Sequence, residues 1–152
     1  MPYWLFKSEP HAYGFEQLRA DRTTPWSGVR NWQARGNMQA MAVGDLGFFY
    51  HSSIPQPCAV GSVKVVKTAY PDFTQFDPTS EYYDATSRPE RPKWYMVDVE
   101  FVEPLPHPVT LARMRAEPRL EGMVLLRRGH LSVQPVTPRE WAIVMELSQS
   151  PE

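Results

Sequence analysis

Residues 94–102 read Trp-Tyr-Met-Val-Asp-Val-Glu-Phe-Val, and this stretch decides the fold class. Tyr95, Val97, Val99 and Phe101 alternate with Met96, Asp98 and Glu100, a period of two that buries one face and leaves the other half-solvated. A strand of this kind needs neighbours. Upstream, valine-rich Ala59–Thr68 supplies one, and Leu46–Tyr50 supplies another, entered through the Gly44-Asp45 turn and running into His51-Ser52-Ser53. Pro2–Ser8 is a further strand, with Tyr3, Leu5 and Lys7 on one face and Trp4, Phe6 and Ser8 on the other. Being apolar on both faces, it belongs inside a sheet. Downstream, Leu131–Val136 completes the set.

Helical spacing appears between these strands. Phe15 and Leu18 mark a short helix over Phe15–Ala20, and Ala34, Met38 and Met41 mark a second over Arg30–Met41. Thr23–Val29 is rich in turn formers and is expected to be a loop. Tyr70–Lys93, rich in proline and acid, is expected to be a long surface excursion, a kind of loop that is often functional. Pro104, Pro106 and Pro108 are expected to interrupt regular structure, after which Thr110 caps a short helix to Arg115. Thr137-Pro138-Arg139-Glu140 is a capping box that starts a helix to about Leu147, burying Trp141, Val144 and Met145. The expected fold is α+β: a strongly bent mixed sheet or small barrel of about five to six strands flanked by short helices. One domain is expected over residues 1–147, with 148–152 as a tail.

The 152 residues are 42% hydrophobic and 22% charged, a globular composition. A lone cysteine, Cys58, forms no internal bridge, and neither a secretory signal nor an apolar run of roughly 20 residues is present. A soluble cytoplasmic monomer away from membranes is the expectation. With a net charge of −1, the chain is not one that wraps long stretches of phosphate backbone. The charge is unevenly spread: three arginines and no acid over 22–44, five acids against one arginine over 72–90, and five arginines against two glutamates over 113–130. The two basic segments either share one face as a local anionic footprint or are separate solvated loops. Aromatic residues reach 12%, including five tryptophans, which implies an aromatic core or an aromatic binding surface.

Little in the sequence points to catalysis. His11, His51, His107 and His130 lie far apart with no second ligand at helical spacing, so neither metal nor cofactor is expected. Ser8-Glu9 and His51-Ser52 are adjacent pairs, and neighbours on a strand face opposite ways. What stands out is aromatic and amide groups beside arginine: Trp26 near Gly28, Asn31 and Arg35 at a helix start, Tyr50-His51-Ser52 at a strand end, and Arg127, Arg128 and His130 ahead of Ser132 and Gln134. These are the parts of a base pocket, in which a ring stacks, amides and hydroxyls read the base edge, and arginines hold phosphates. Each also has a structural reading: Trp26 as core, Asn31 as a helix cap, His51 as a buried histidine, Arg127 and Arg128 as solvated. Trp94 and Trp141 are assigned to the core.

Four motifs in order, YWLFKSEP, TTPWSGVRNWQAR, VGDLGFFYHSS and GHLSVQPVTPREW, closely resemble the EVE domain family from Met1 to about Leu147. The resemblance implies a PUA-like fold, a mixed barrel related to YTH and ASCH domains. It also implies recognition of a modified base, a modified cytosine or another methylated base, in DNA or RNA. By that resemblance Ser8, Trp26, Val29, Asn31, Tyr50, His51 and Ser52 would line the pocket. Arg30, Arg35 and Arg128 would lie at the rim, Ser132 and Gln134 would support the wall, and residues 82–94 would close one side. This chain departs from the family at Trp32, where tyrosine is usual, and at Arg127-Arg128-Gly129-His130, where the family more often has R-Q-x-R. The implied function is a non-catalytic module that takes an unpaired or flipped base, stacks it on Trp26, reads its edge with Asn31, and seats its methyl near Val29. Two other readings stay open: an enzyme acting on modified nucleotides through His51 or Glu9, and a protein-interaction module using the acidic 72–90 loop.

Overall fold

The computed structural model describes residues 2–151; Met1 and Glu152, the outer ends of the expected domain and tail, lie outside the described residues. The elements run β1 (Tyr3–Ser8), α1 (Phe15–Asp21), β2 (Thr23–Pro25), α2 (Trp32–Gln39), β3 (Leu46–His51), β4 (Cys58–Pro71), β5 (Tyr95–Thr110), α3 (Leu111–Arg115), α4 (Val124–Arg127), β6 (Val133–Val136) and α5 (Pro138–Leu147). The strands form one sheet in the order β2-β5-β4-β3-β1-β6. β1 runs parallel to β3, and the remaining pairings are antiparallel.

The apolar faces of β1 settle its place between β3 and β6. Trp4 and Phe6 join a core with Phe49, Val63, Val97 and Val99, covered by Phe15 and Leu18 of α1 and Ala34 and Met38 of α2. Leu5 joins a second core on the opposite face with Phe48, Tyr50, Leu105 and Val109, covered by Met114, Leu125, Ile143 and Val144. Of the two expected forms, bent mixed sheet or small barrel, the structure is the open sheet, and the two cores explain why. A barrel buries one interior face, whereas here both faces are buried under helices. The end strands are short, and Pro25 of β2 and Pro135 of β6 have no N–H to offer a further partner.

Several expected boundaries move. β5 does not stop at Val102 but continues through all three prolines to Thr110. Its pairing passes from Gly61↔Pro104 directly to Ala59↔Val109, so residues 105–108 stay extended outside the ladder, and His107 N–H donates to Ser148 O (2.9 Å). Proline fixes φ near its extended value and lacks only the donor, so it is tolerated where the ladder is interrupted. Residues 23–25 of the expected loop form β2, because Thr23 and Thr24 pair with Glu100 and Val99 along the free edge of β5. β4 runs to Pro71 through irregular pairings that bend the sheet. At Gly61 a Cβ would stand 2.0 Å from the Phe15 ring, so only glycine lets α1 seat there. The capping box appears as expected, with the Thr137 side chain and Glu140 each bonding the other's backbone N–H. Trp94 is buried, while Trp141 is half-buried and stacks on Phe48 (4.0 Å) and Tyr3 (4.6 Å). Ser148 and Ser150 of the expected tail are held by His107 and Arg113.

Candidate functional site

Because β1 and β3 are parallel, Ser8 and His51 stand side by side where both strands end, and Ser52 N–H donates to Ser8 O (2.9 Å). Beyond these carboxyl ends lies a cavity of about 670 Å³, within the range of small-ligand sites. Lys7, Ser8 and Glu9 wall it from the exit of β1, and Ser52 and Ser53 from the exit of β3. Thr24–Arg30 forms another side, Gly129–Ser132 the approach to β6, and Glu81 and Tyr82 the outer rim. Ser53 has φ +59°, a left-handed conformation unusual for a residue with a side chain.

Trp26 is both core and cavity wall. It is 8% exposed and its ring meets Phe6 at 5.2 Å and Phe49 at 5.5 Å in steep edge contacts, while its backbone N–H donates to Val97 O (2.7 Å). The indole is therefore held rigidly while still bordering the cavity. Val29 beside it is also buried in the same core.

The loop carrying Trp26 is fastened by a residue that sequence reasoning missed. Asp72 is fully buried and accepts from Gly28 N–H (2.7 Å), Arg30 Nη1 (3.3 Å) and Thr74 N–H (2.8 Å). Arg30 also donates to Tyr82 O from Nε (3.1 Å) and Nη2 (2.6 Å), and to Thr74 Oγ1 (3.0 Å). Gly28 has φ +83°, and a Cβ there would stand 2.8 Å from the Tyr82 ring. The Trp26 loop and the Tyr82 rim are thus one assembly. The available signal was the repeat Asp72-Phe-Thr74, Asp77-Pro-Thr79 and Asp84-Ala-Thr86. In each, the Asp carboxylate accepts from the Thr N–H two residues on and from its hydroxyl. These bonds hold Asp77 below the usual carboxylate range and Asp84, which also accepts from Trp94 Nε1 (2.8 Å), down to about 2. Buried Gln75 ties the excursion down further, donating to Asp72 O and Trp94 O and accepting from Ser87 Oγ and Trp94 N–H. Asp72, Asp77 and Asp84 thus each cap a turn of the loop, Asp72 from a buried position and Asp77 from the surface.

Of the expected site residues, Ser8, Trp26, Val29, Arg30, Ser52 and Ser132 line the cavity. The other six do not line it. Asn31 caps α2, its Oδ1 accepting from Ala34 N–H (2.9 Å). Tyr50 lies in the opposite core, where burial pushes its phenol up to about 12. His51 Nε2 accepts from Phe15 N–H (3.1 Å), and burial lowers its pKa. Gln134 is buried, donating to Leu131 O (2.7 Å). Arg128 donates to Gln33 Oε1 (2.7 Å), and Arg35 donates to Lys93 O (2.6 Å) and stacks over Trp32 (4.3 Å), beside a different cavity.

Lys7 is the second residue the sequence reading passed over. Its ammonium reaches Gly129 O, and burial lowers its pKa. It places an ammonium donor in a cavity that also carries the Ser8, Ser52 and Ser132 hydroxyls, Arg30, His130 and the Glu9 and Glu81 carboxylates. Ser8 Oγ donates to Tyr13 O (2.5 Å), which commits its proton away from any base, and the His51 lone pair is used by the backbone. Among the described residues no group of three His, Cys, Asp or Glu side chains gathers where it could hold a metal ion, and no helix is long and apolar enough to cross a membrane.

The open mixed sheet covered by helices on both faces matches the PUA-like fold of the THYN1 structures. The EVE domain model matches residues 2–147, and the chain belongs to the EVE domain family. Thymocyte nuclear protein 1 of Gallus gallus is 42% identical over 97% of this chain and 69% of its own length; the Homo sapiens protein is 40% identical over 97% and 74%. Among solved structures, a Leishmania major hypothetical protein superposes with a TM-score of 0.94 at 44% identity, covering 98% of this chain and 95% of that one. The human THYN1 protein in complex with 5-methylcytosine-containing DNA superposes with a TM-score of 0.93 at 39% identity, covering 99% of both chains. An ASCH protein of Zymomonas mobilis, at 11% identity and a TM-score of 0.58, shares the fold alone.

Proposed function

We propose that this protein binds one modified nucleobase, a methylated cytosine, unpaired or flipped out of DNA or RNA, in the cavity walled by Trp26. The observation that carries the reading is the cavity itself: a rigid indole beside serine hydroxyls and the Lys7 ammonium, in a chain that superposes on a relative solved with 5-methylcytosine-containing DNA. A base enters flat against Trp26, a contact of about 1–3 kcal/mol. Lys7, Ser52 and Ser132 bond its edge, and Val29 meets the methyl. Asn31 and Arg30 position the loop, the first by starting α2 and the second by tying the loop to Tyr82. Extrusion costs a few kcal/mol from a duplex and least from a single strand, so single strands bind best. The role is binding rather than catalysis, because the acid–base candidate His51 and the hydroxyl of Ser8 are already engaged by the backbone.

The test is an equilibrium titration with a single-stranded oligonucleotide carrying one 5-methylcytosine against the same strand carrying cytosine. The methylated strand binds about tenfold or more tightly, the discrimination one buried methyl supplies, and is recovered unchanged by mass spectrometry. Equal affinities overturn the base assignment, and a modified product overturns the binding role.

A further inference from the structure

A second cavity, of about 640 Å³, lies between the start of α2 and the end of the 72–93 excursion. Arg35, Arg88, Arg91 and Lys93 line it with a single acid, Glu90. Trp32 stands on its edge 58% exposed, stacked on Trp94 (4.9 Å) with Arg35 over its ring (4.3 Å). Among the described residues neither the Arg88 nor the Arg91 guanidinium pairs with a carboxylate. Arg35 Nε is buried without a hydrogen-bond partner, a costly state for a charged donor. Unpaired cations gathered round an exposed indole attract an anion that carries an aromatic ring.

The two cavities share no lining residue, but one stack of side chains links their rims. Arg30 and Tyr82, at the rim of the first, connect to Trp94 through the Arg30 guanidinium, which lies 5.6 Å from the Tyr82 ring and 5.4 Å from the Trp94 ring. Trp94 in turn backs Trp32. A strand leaving the first cavity therefore reaches the second across one aromatic stack.

We infer that the Trp32 cavity is a subsite for a nucleotide flanking the captured base, with Arg88 and Arg91 on its phosphates and its base against the Trp32–Arg35 stack. The inference rests on the proposal that the neighbouring cavity takes a modified base, and it adds that affinity for a strand exceeds affinity for the nucleoside through contacts made elsewhere. Stacking on an indole and pairing with phosphate are common to DNA and RNA, so the subsite accepts either strand.

The test measures binding of 5-methylcytosine nucleoside and of single-stranded DNA and RNA oligonucleotides carrying one 5-methylcytosine, over a range of salt. Wild type is compared with Arg88→Ala/Arg91→Ala, two exposed side chains whose removal spares the core. The double variant binds both strands more weakly, and its dependence of log affinity on log salt flattens by about 1.4 for two lost phosphate contacts. Its affinity for the nucleoside and its preference for the methylated strand stay as in wild type. Trp32→Ala, checked for an unchanged melting temperature, weakens strand binding by about 5-fold or more with the salt slope kept. A double variant with unaltered strand affinity and slope overturns the subsite while leaving the base cavity standing. A wild type that binds strands with the full salt slope but without methyl preference overturns the base reading instead. Weakened binding of DNA alone overturns the shared-strand assignment.

Discussion

Trp26 carries two duties that the sequence kept apart. The indole reads equally as core and as pocket, and it is both: buried among Phe6 and Phe49 and bordering the cavity. Trp26→Ala therefore does more than remove a stacking surface. It costs about 3–5 kcal/mol of stability, visible as a large fall in urea midpoint, whereas Trp26→Phe keeps most of the packing and loses mainly the larger stacking face. Asn31 sorts the other way. Its oxygen caps α2, so Asn31→Asp retains both the cap and base binding, while Asn31→Ala costs about 1 kcal/mol in thermal denaturation. Loss of binding in the folded Asp variant would return Asn31 to the base edge. Asp72 is the heaviest single residue of the loop assembly. Asp72→Ala leaves the Arg30 guanidinium and Gly28 N–H without their buried acceptor and costs about 3–5 kcal/mol, measured by urea unfolding.

At the scale of elements, local chemistry was legible and partnership was not. The alternation in 95–101, the capping box at Thr137 and the i, i+4 spacing of Ala34 and Met38 each appear in the sequence because they depend on a few neighbouring residues. The run of β5 through Pro104, Pro106 and Pro108 depends on the ladder with β4 being interrupted there, and β2 depends on the free edge of β5. Neither condition is local. Which of the expected pocket residues line the cavity depends on the same non-local conditions. Tyr50 and His51 sit one residue apart on a strand, and the sheet sends the tyrosine to the far core. His51 spans two elements, accepting the first amide of α1 from the end of β3. Burial lowers its pKa, so the folded state resists the proton that the unfolded chain accepts near pH 6.5. Stability contributed by the neutral ring is full above that pH and is lost as pH falls through the lower, folded value. Denaturant midpoints at pH 8 and pH 5 fall more for wild type than for His51→Gln; equal falls would place the acid sensitivity elsewhere.

Over the whole molecule, the parallel pairing of β1 with β3 sets the site, since it brings two strand ends to one level beside the Trp26 loop. The 72–93 excursion, which composition marks as loose and acidic, spends Asp72, Asp77 and Asp84 on its own turns and delivers Tyr82 to the cavity rim. Asp72 is buried, while Asp77, Glu81 and Glu90 keep their carboxylates on the surface. The central claim is that one base inserts against Trp26. It is tested most directly by a structure of this protein with a single strand carrying 5-methylcytosine. The account predicts that base alone inside the cavity, its ring flat on Trp26, its methyl against Val29 and its edge bonded by Lys7 or the serine hydroxyls. A strand bound with its methylated base outside the cavity, and the Trp26 face empty, would contradict it.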